Sequence, residues 1–362
     1  VERFYRAALT MVPGLGNSRL SSLVAFFGSA RTAWKAPRRD LFVCPCLDEE
    51  LVNNLHIMRE KIDVHNLAAS WEKKGIGVVC AADGEFPGRL RKIFDPPAVL
   101  YYRGRLPRED ELLIAVVGAR KASAYGRNAA AMLAAGLAEA GVGVVSGAAR
   151  GVDSAAHQGA LDGGGYTVAV LGCGVDVTYP PENGKLLDSI AEHGAIISEY
   201  WPGTSPQAQF FPVRNRIISG LARGVVVVEA AARSGSLITA DWALEQGRDV
   251  FAVPGSIFSD TSGGANRLLK QGAKPVTKAA DILEEYGFAP ADDEQRPSRP
   301  EPAGDEGRVY AALSCDTPLS AEEIVMKVGL PAQLVTYILL QLELKDMAAE
   351  FGGQRYVRLP GR

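Results

Sequence analysis

Short valine-rich runs alternate with stretches of helical spacing through the middle of the chain. The runs fall at 113–117, 142–145, 168–171, 195–197, 225–228 and 250–253. Apolar and β-branched, they predict strands buried on both faces. Between 209 and 224, Ile217, Ile218 and Leu221 form the apolar stripe of a helix with Pro212 in its first turn and Gly224 as its stop. Repeated βα units of this kind predict an α/β fold, a mainly parallel sheet covered on both faces. Right-handed crossovers collect the turns that follow the strands along the carboxyl edge, where such folds bind ligands.

The flanks follow other rules. Residues 1–62 read as helical, with Val12-Pro13-Gly14-Leu15-Gly16-Asn17 turning the chain before a helix carrying Leu20, Leu23, Val24 and Phe27. This turn is either a helix-hairpin-helix, whose glycine N–H groups meet a DNA phosphate, or a plain αα-hairpin. A helix ending near Lys74, a strand at 77–80 and a strand entry at 96–102 lead into the regular region, so the central domain spans 63–287. From 288 to 306 the composition turns to Pro, Asp, Glu and Arg, as in a solvated linker. Helices at 307–313, 321–328 and 332–344 and a hairpin at Gly352-Gly353 suggest a winged helix over 307–362. Its third helix carries Gln333, Thr336, Gln341 and Glu343, with Lys345 as its one cation, which favours a protein contact over DNA.

Composition narrows the partners. The chain has 362 residues, a 47% hydrophobic fraction and a formal net charge of −3, so a polyanion site must be a local cluster of cations. Five scattered cysteines fit reduced thiols, and no apolar run approaches the ~18 residues of a membrane span, so a cytoplasmic protein that does not enter membranes is expected. Cys44, Cys46 and His56 lack a second spaced pair of zinc ligands. His157 reads as structural and Asp153 as a helix cap.

The carboxyl-edge turns share one chemistry. They contain Gly118-Ala119-Arg120-Lys121, Ser146-Gly147-Ala148-Ala149-Arg150, Gly172-Cys173-Gly174 running on to Asn183 and Lys185, and Arg233-Ser234-Gly235-Ser236. Small residues let a ligand reach the backbone, and Arg and Lys supply charge and forked donors for phosphate. Arg214 and Arg216 sit at a helix start, where the macrodipole disfavours cations, so an anion is expected nearby. A tight βα turn with two surface arginines would leave the same residues. Stacking aromatics look few. Val177 breaks a G-x-G-x-x-G pattern, and neither a P-loop nor a G-x-S-x-G elbow occurs.

These motifs, with Phe211-Pro212-Val213-Arg214-Asn215-Arg216, Ser234-Gly235-Ser236-Leu237-Ile238-Thr239-Ala240 and Phe251-Ala252-Val253-Pro254-Gly255, resemble the DNA-processing protein A family (DprA/Smf). The resemblance is strong over 64–276. It implies an extended Rossmann-like core between a SAM/helix-hairpin-helix-like N-terminal domain and the winged helix. It also implies a single-stranded-DNA binder that loads the RecA recombinase in natural transformation, works as a homodimer, and needs no cofactor or metal. The positions expected to meet DNA are Gly118, Arg120, Lys121, Ser146, Gly147, Arg150, Asn183, Lys185, Arg214, Asn215, Arg216, Arg233, Ser234, Gly235 and Ser236. Apolar residues at 256–272, including Ile257, Phe258, Leu268 and Leu269, mark the expected dimer contact. The rival is an enzyme. Nucleoside-monophosphate phosphoribohydrolases share the Rossmann-like plan, and Glu229 stands where a catalytic acid would be useful, although their Pro-Gly-Gly-x-Gly-Thr-x-x-Glu stretch is missing.

Overall fold

The computed structural model describes residues 1–288 and 302–359. Most of the linker expected at 288–306 lies outside the described residues. Six helices open the chain: α1 (Glu2–Thr10), α2 (Asn17–Phe27), α3 (Ala30–Lys35), α4 (Arg38–Leu41), α5 (Glu49–Lys61) and α6 (Val64–Lys73). Two strands follow, β1 (Gly77–Cys80) and β2 (Val99–Gly104), before the repeated units begin. These are β3 (Leu113–Val117), α7 (Ala124–Glu139), β4 (Gly143–Ser146), α8 (Val152–Asp162), β5 (Thr167–Leu171), α9 (Gly184–His193) and β6 (Ala195–Ser198). The second half adds α10 (Phe210–Leu221), β7 (Gly224–Val227), α11 (Gly235–Glu245), β8 (Asp249–Ala252), α12 (Gly263–Lys270), β9 (Lys274–Pro275) and α13 (Ala279–Leu283). Gly224, expected to stop a helix, instead begins β7.

These nine strands form one sheet in the order β1-β2-β6-β5-β4-β3-β7-β8-β9. The stretch from β6 to β9 is parallel, while β2 runs antiparallel to both β1 and β6. Alternation sorts β3 between two cores. Ile114 and Val116 face α7 and α8 with Leu133, Leu137 and Ala156, whereas Leu113, Ala115 and Val117 face Ile217, Leu221 and Leu268. Leu268 is thus buried in this core, and Leu269, partly buried, packs against it.

The N-terminal helices are not a detached unit. Leu9, Leu20, Trp34 and Leu55 share one apolar cluster with Trp71, Val78, Tyr101 and Leu171. In the Pro-Gly-Leu-Gly turn Leu15 is buried while Pro13, Gly14 and Gly16 are exposed, and the next residue, Asn17, donates through Nδ2 to Glu199 Oε1 at 3.0 Å and to the Pro96 carbonyl at 3.4 Å. The sulfurs of Cys44 and Cys46 lie 3.0 Å apart, whereas His56 pairs with Glu60. Among the described residues, no three His, Cys, Asp or Glu side chains converge as metal ligands, and no single helix is long and apolar enough to cross a membrane.

The C-terminal module is α14 (Gly304–Ala312), β10 (Leu319–Ser320), α15 (Ala321–Val328), α16 (Ala332–Leu344), β11 (Ala348–Glu350) and β12 (Arg355–Arg358). Its first helix starts inside the expected linker. Ser320 and Glu323 form a reciprocal capping box at α15, and Gly352 and Gly353 take positive φ in the hairpin. The module docks on the start of α7. Asn128 Nδ2 donates to the Cys315 carbonyl at 2.8 Å, and the Arg127 guanidinium lies 4.7 Å from the Phe351 ring.

Candidate nucleic-acid interface

β3 is where the strand order reverses: β4 lies on one side and β7 on the other. The turns leaving β3 and β7 diverge at that point, which opens the crevice where α/β sheets hold ligands. A cavity of about 510 Å³ occupies it, lined by Gly118, Arg120, Tyr179, Phe211, Ser234 and Gly235 among others. The Ser234 hydroxyl caps α11, accepting from the Ser236 N–H at 3.3 Å, so the positive end of that helix faces the cavity. Gly235 has open space above its backbone and admits a close approach by a ligand.

The opposite wall is aromatic. The Arg120 guanidinium lies 5.0 Å from the Phe211 ring, and Phe211 meets Tyr179 at 5.5 Å with 32° between planes. Tyr200 and Phe210 stack at 4.1 Å beside them. The expectation of few stacking aromatics is therefore wrong at this site. A detectable signal lay in Tyr179-Pro180 and Phe210-Phe211-Pro212, where aromatics precede proline at the edge that binds ligands.

The cations divide into two sets. Arg120, Lys121, Lys185 and Arg233 are exposed on this edge and have no ion-pair partner among the described residues. Arg150 is also exposed but forms a forked pair with Glu182. Arg214 and Arg216 are only 4% and 3% exposed, although Arg214 lies in the wall of the cavity. Arg214 donates to the Val170 carbonyl and, at 2.8 Å, to that of Gly147, tying the ends of two neighbouring strands. Burial lowers its pKa to about 10, opposed by the charge of Asp153, so it stays protonated at neutral pH. Arg216 forms a bidentate pair with Glu199, both contacts at 2.8 Å, and reaches Asp95 at 3.2 Å. A helix start with two arginines does demand anions, and the chain supplies them itself.

Several other expected contacts also make hydrogen bonds within the chain, Asn215 and Ser236 from the wall of the cavity. Asn183, 9% exposed, donates to the Ala148 carbonyl at 3.0 Å, and Asn215 donates to the Gly235 carbonyl at 3.2 Å. Ser146 is fully buried and donates to the Val116 carbonyl, and Ser236 is buried beneath the α11 cap. A Cβ at Gly147 would lie 2.5 Å from the Arg214 guanidinium, so only glycine lets that side chain pass. Ala148 beside it holds φ +52, left-handed backbone that Asn183 and Arg214 brace from either side. Asp153 does not cap α8, whose N-cap is Gly151. Instead it is buried, which raises its pKa, and it accepts from the Ala149 N–H at 3.4 Å. His157 is fully buried, with Nδ1 2.8 Å from Thr167 Oγ1, as its structural assignment expects.

Glu229, the candidate catalytic acid, is 2% exposed and does not line the cavity. It accepts from the Ser123 N–H at 2.9 Å, the Ser123 hydroxyl at 2.6 Å and the Thr261 hydroxyl at 3.0 Å. The crevice therefore offers cations, a helix terminus and stacking rings, with that acid turned away from it.

The model of the DNA recombination-mediator protein A family matches residues 77–287, and that of the DprA winged helix domain matches residues 293–354. DNA processing protein DprA of Streptococcus pneumoniae is 48% identical over 206 residues, 57% of this chain and 73% of the relative. Protein Smf of Escherichia coli is 41% identical over 287 residues, 77% of this chain and 76% of the relative. The solved S. pneumoniae DprA structure matches with a TM-score of 0.69 and 36% identity, covering 80% of this chain and 99% of that one. A Helicobacter pylori DNA processing protein A structure, described for its single-stranded DNA binding mode, gives a TM-score of 0.52 and 29% identity over 58% of this chain and 95% of that one. Fold, winged helix and sequence agree: the chain belongs to the DNA recombination-mediator protein A family, DprA/Smf.

Proposed function

We propose that this protein binds single-stranded DNA along the carboxyl edge of its sheet and hands the strand to a RecA-type recombinase. One observation carries the proposal: exposed cations flank a cavity that has both a helix N-terminus and an aromatic wall. Phosphates meet Arg120, Lys121, Lys185, Arg233 and the α11 start, while bases stack on Phe211 and Tyr179. Stacking tolerates any base and needs it unpaired, which selects single strands without sequence preference. The grip is electrostatic and reversible, as presentation to a second protein requires. The protein acts as a binder, without turnover of nucleotide. Ile257 and Phe258, 84% and 92% exposed, form the apolar face through which two copies associate.

Titration of labelled oligothymidylate and of duplex at two salt concentrations tests binding. The expected result is tighter single-strand binding, with a log–log salt slope that falls by about 0.7 for Arg120→Ala. Recombinase filament assembly on strands coated with single-strand-binding protein tests the handover, and Arg120→Ala with Lys185→Ala should suppress it. Equal affinity for duplex, or release of ribose 5-phosphate from AMP, would overturn the proposal.

A further inference from the structure

The Glu229 carboxyl lies between the two surfaces that the proposed function uses. On one side it holds Ser123, the residue that closes the Arg120 turn and caps α7, by accepting from both its N–H and its hydroxyl. On the other it holds Thr261, whose hydroxyl shares Oε1 with Ser123. Thr261 Oγ1 is in turn 2.9 Å from Ser259 Oγ, and the Ser259 N–H donates to the Ser256 carbonyl, closing the turn whose tip is Ile257 and Phe258. An unbroken polar chain, Ser123–Glu229–Thr261–Ser259, thus runs from the groove to the exposed apolar tip.

The chain has little slack. A Cβ on Gly126 would sit 2.2 Å from Glu229 Oε2, so the carboxyl is seated directly against the first turn of α7. The far loop is pinned behind its tip, where Asn266 exchanges two hydrogen bonds with the backbone of Gly255, at 3.0 and 3.2 Å. Packed groups of this kind shift between discrete arrangements and do not deform smoothly.

We infer that Glu229 is a positioning residue that couples the Arg120 turn to the Ile257/Phe258 tip, so that a strand in the groove and self-association of the chain favour one another. This rests on the strand-binding and dimer assignments above. Coupling is reciprocal, so either event should strengthen the other by the same factor.

The test uses the full chain and an oligothymidylate short enough to fill one groove, so that no strand bridges two copies. Sedimentation gives the self-association constant with and without it. In the wild type the oligonucleotide should tighten association on the order of 10-fold. Thr261→Val, which cuts the chain outside the groove, should reduce that to below about twofold while leaving monomer affinity for the oligonucleotide unchanged. Thr261→Ser should restore the effect, a rescue that loss of packing alone would not give. Should Thr261→Val lower the melting temperature, Ser259→Ala interrupts the same chain one bond further out. Wild-type tightening in the Thr261→Val and Ser259→Ala variants would overturn the coupling, as would a wild type that binds and dimerises with no tightening. A wild type that fails to bind the oligonucleotide would overturn the strand-binding assignment itself, and the coupling with it.

Discussion

Replacing Arg214 with alanine should loosen the crevice from within. The guanidinium is 4% exposed and donates to the carbonyls of Gly147 and Val170. Each charge-assisted hydrogen bond contributes roughly 1.5–3 kcal/mol, and its loss strands a carbonyl in the core. Asp153, also buried, loses its balancing charge. Together these losses amount to about 3–5 kcal/mol, the usual range for breaking one side of a buried charged contact. With a urea slope of ~3 kcal/mol/M, the unfolding midpoint should fall by about 1 M or more. Arg214→Lys keeps the charge but not the planar guanidinium whose Nη1 reaches both carbonyls, so its midpoint should fall between wild type and alanine. Arg120→Ala is the counterpart: an exposed side chain whose loss weakens oligonucleotide binding and leaves the midpoint in place. Urea denaturation and oligonucleotide titration on both variants separate the roles. If Arg214→Ala keeps the wild-type stability within about 0.5 kcal/mol and loses only affinity, the supporting role given to Arg214 is wrong.

Three further outcomes follow from the same geometry. Phe211→Ala should weaken single-strand binding by about 1–3 kcal/mol, read by titration, while Phe211→Tyr should retain it. Burial lowers the His157 pKa from 6.5 to about 3, so the unfolded chain takes up a proton first, and stability present above pH 6.5 is lost as pH falls toward 3. By pH 4.5 this amounts to about 2.5 kcal/mol, and His157→Gln should show a correspondingly smaller drop in urea midpoint between pH 7 and pH 4.5. Glu199→Gln breaks the bidentate pair with Arg216 and should destabilise by about 3–5 kcal/mol, with faster hydrogen exchange in α2 as Asn17 loses its anchor.

The sheet and its edge were legible because strands buried on both faces leave an unbroken apolar signature. Runs such as 225–228 can be little else, and the crossover rule then places every turn. The winged-helix helices 321–328 and 332–344 were equally plain from their spacing. The destiny of a polar side chain was less so. Arg120 and Arg214 are the same residue type near the same ligand edge, yet one faces solvent and the other props up two strands. Only the partners distinguish them, and those partners lie 67 and 44 residues from Arg214 in the chain. Strand order was also hidden, and with it the cavity at β3 and β7, because local patterning does not say which strands become neighbours. The burial of Leu268 was hidden for the same reason, since its cover comes from a core built by distant strands.

The cluster that joins Leu9, Leu20 and Trp34 to Trp71, Val78 and Tyr101 bears on how experiments on this family are designed. A shortened gene that begins at residue 63 would not deliver a core lacking an accessory module. It would bare one flank of the sheet, including two of the largest aromatics, and would cut Asn17 away from Glu199. A null phenotype from such a deletion would report aggregation, so the missing helices would be credited with a partner they need not have. Point changes on their outer surface, with the shared apolar layer left whole, are the informative way to ask what those helices bind.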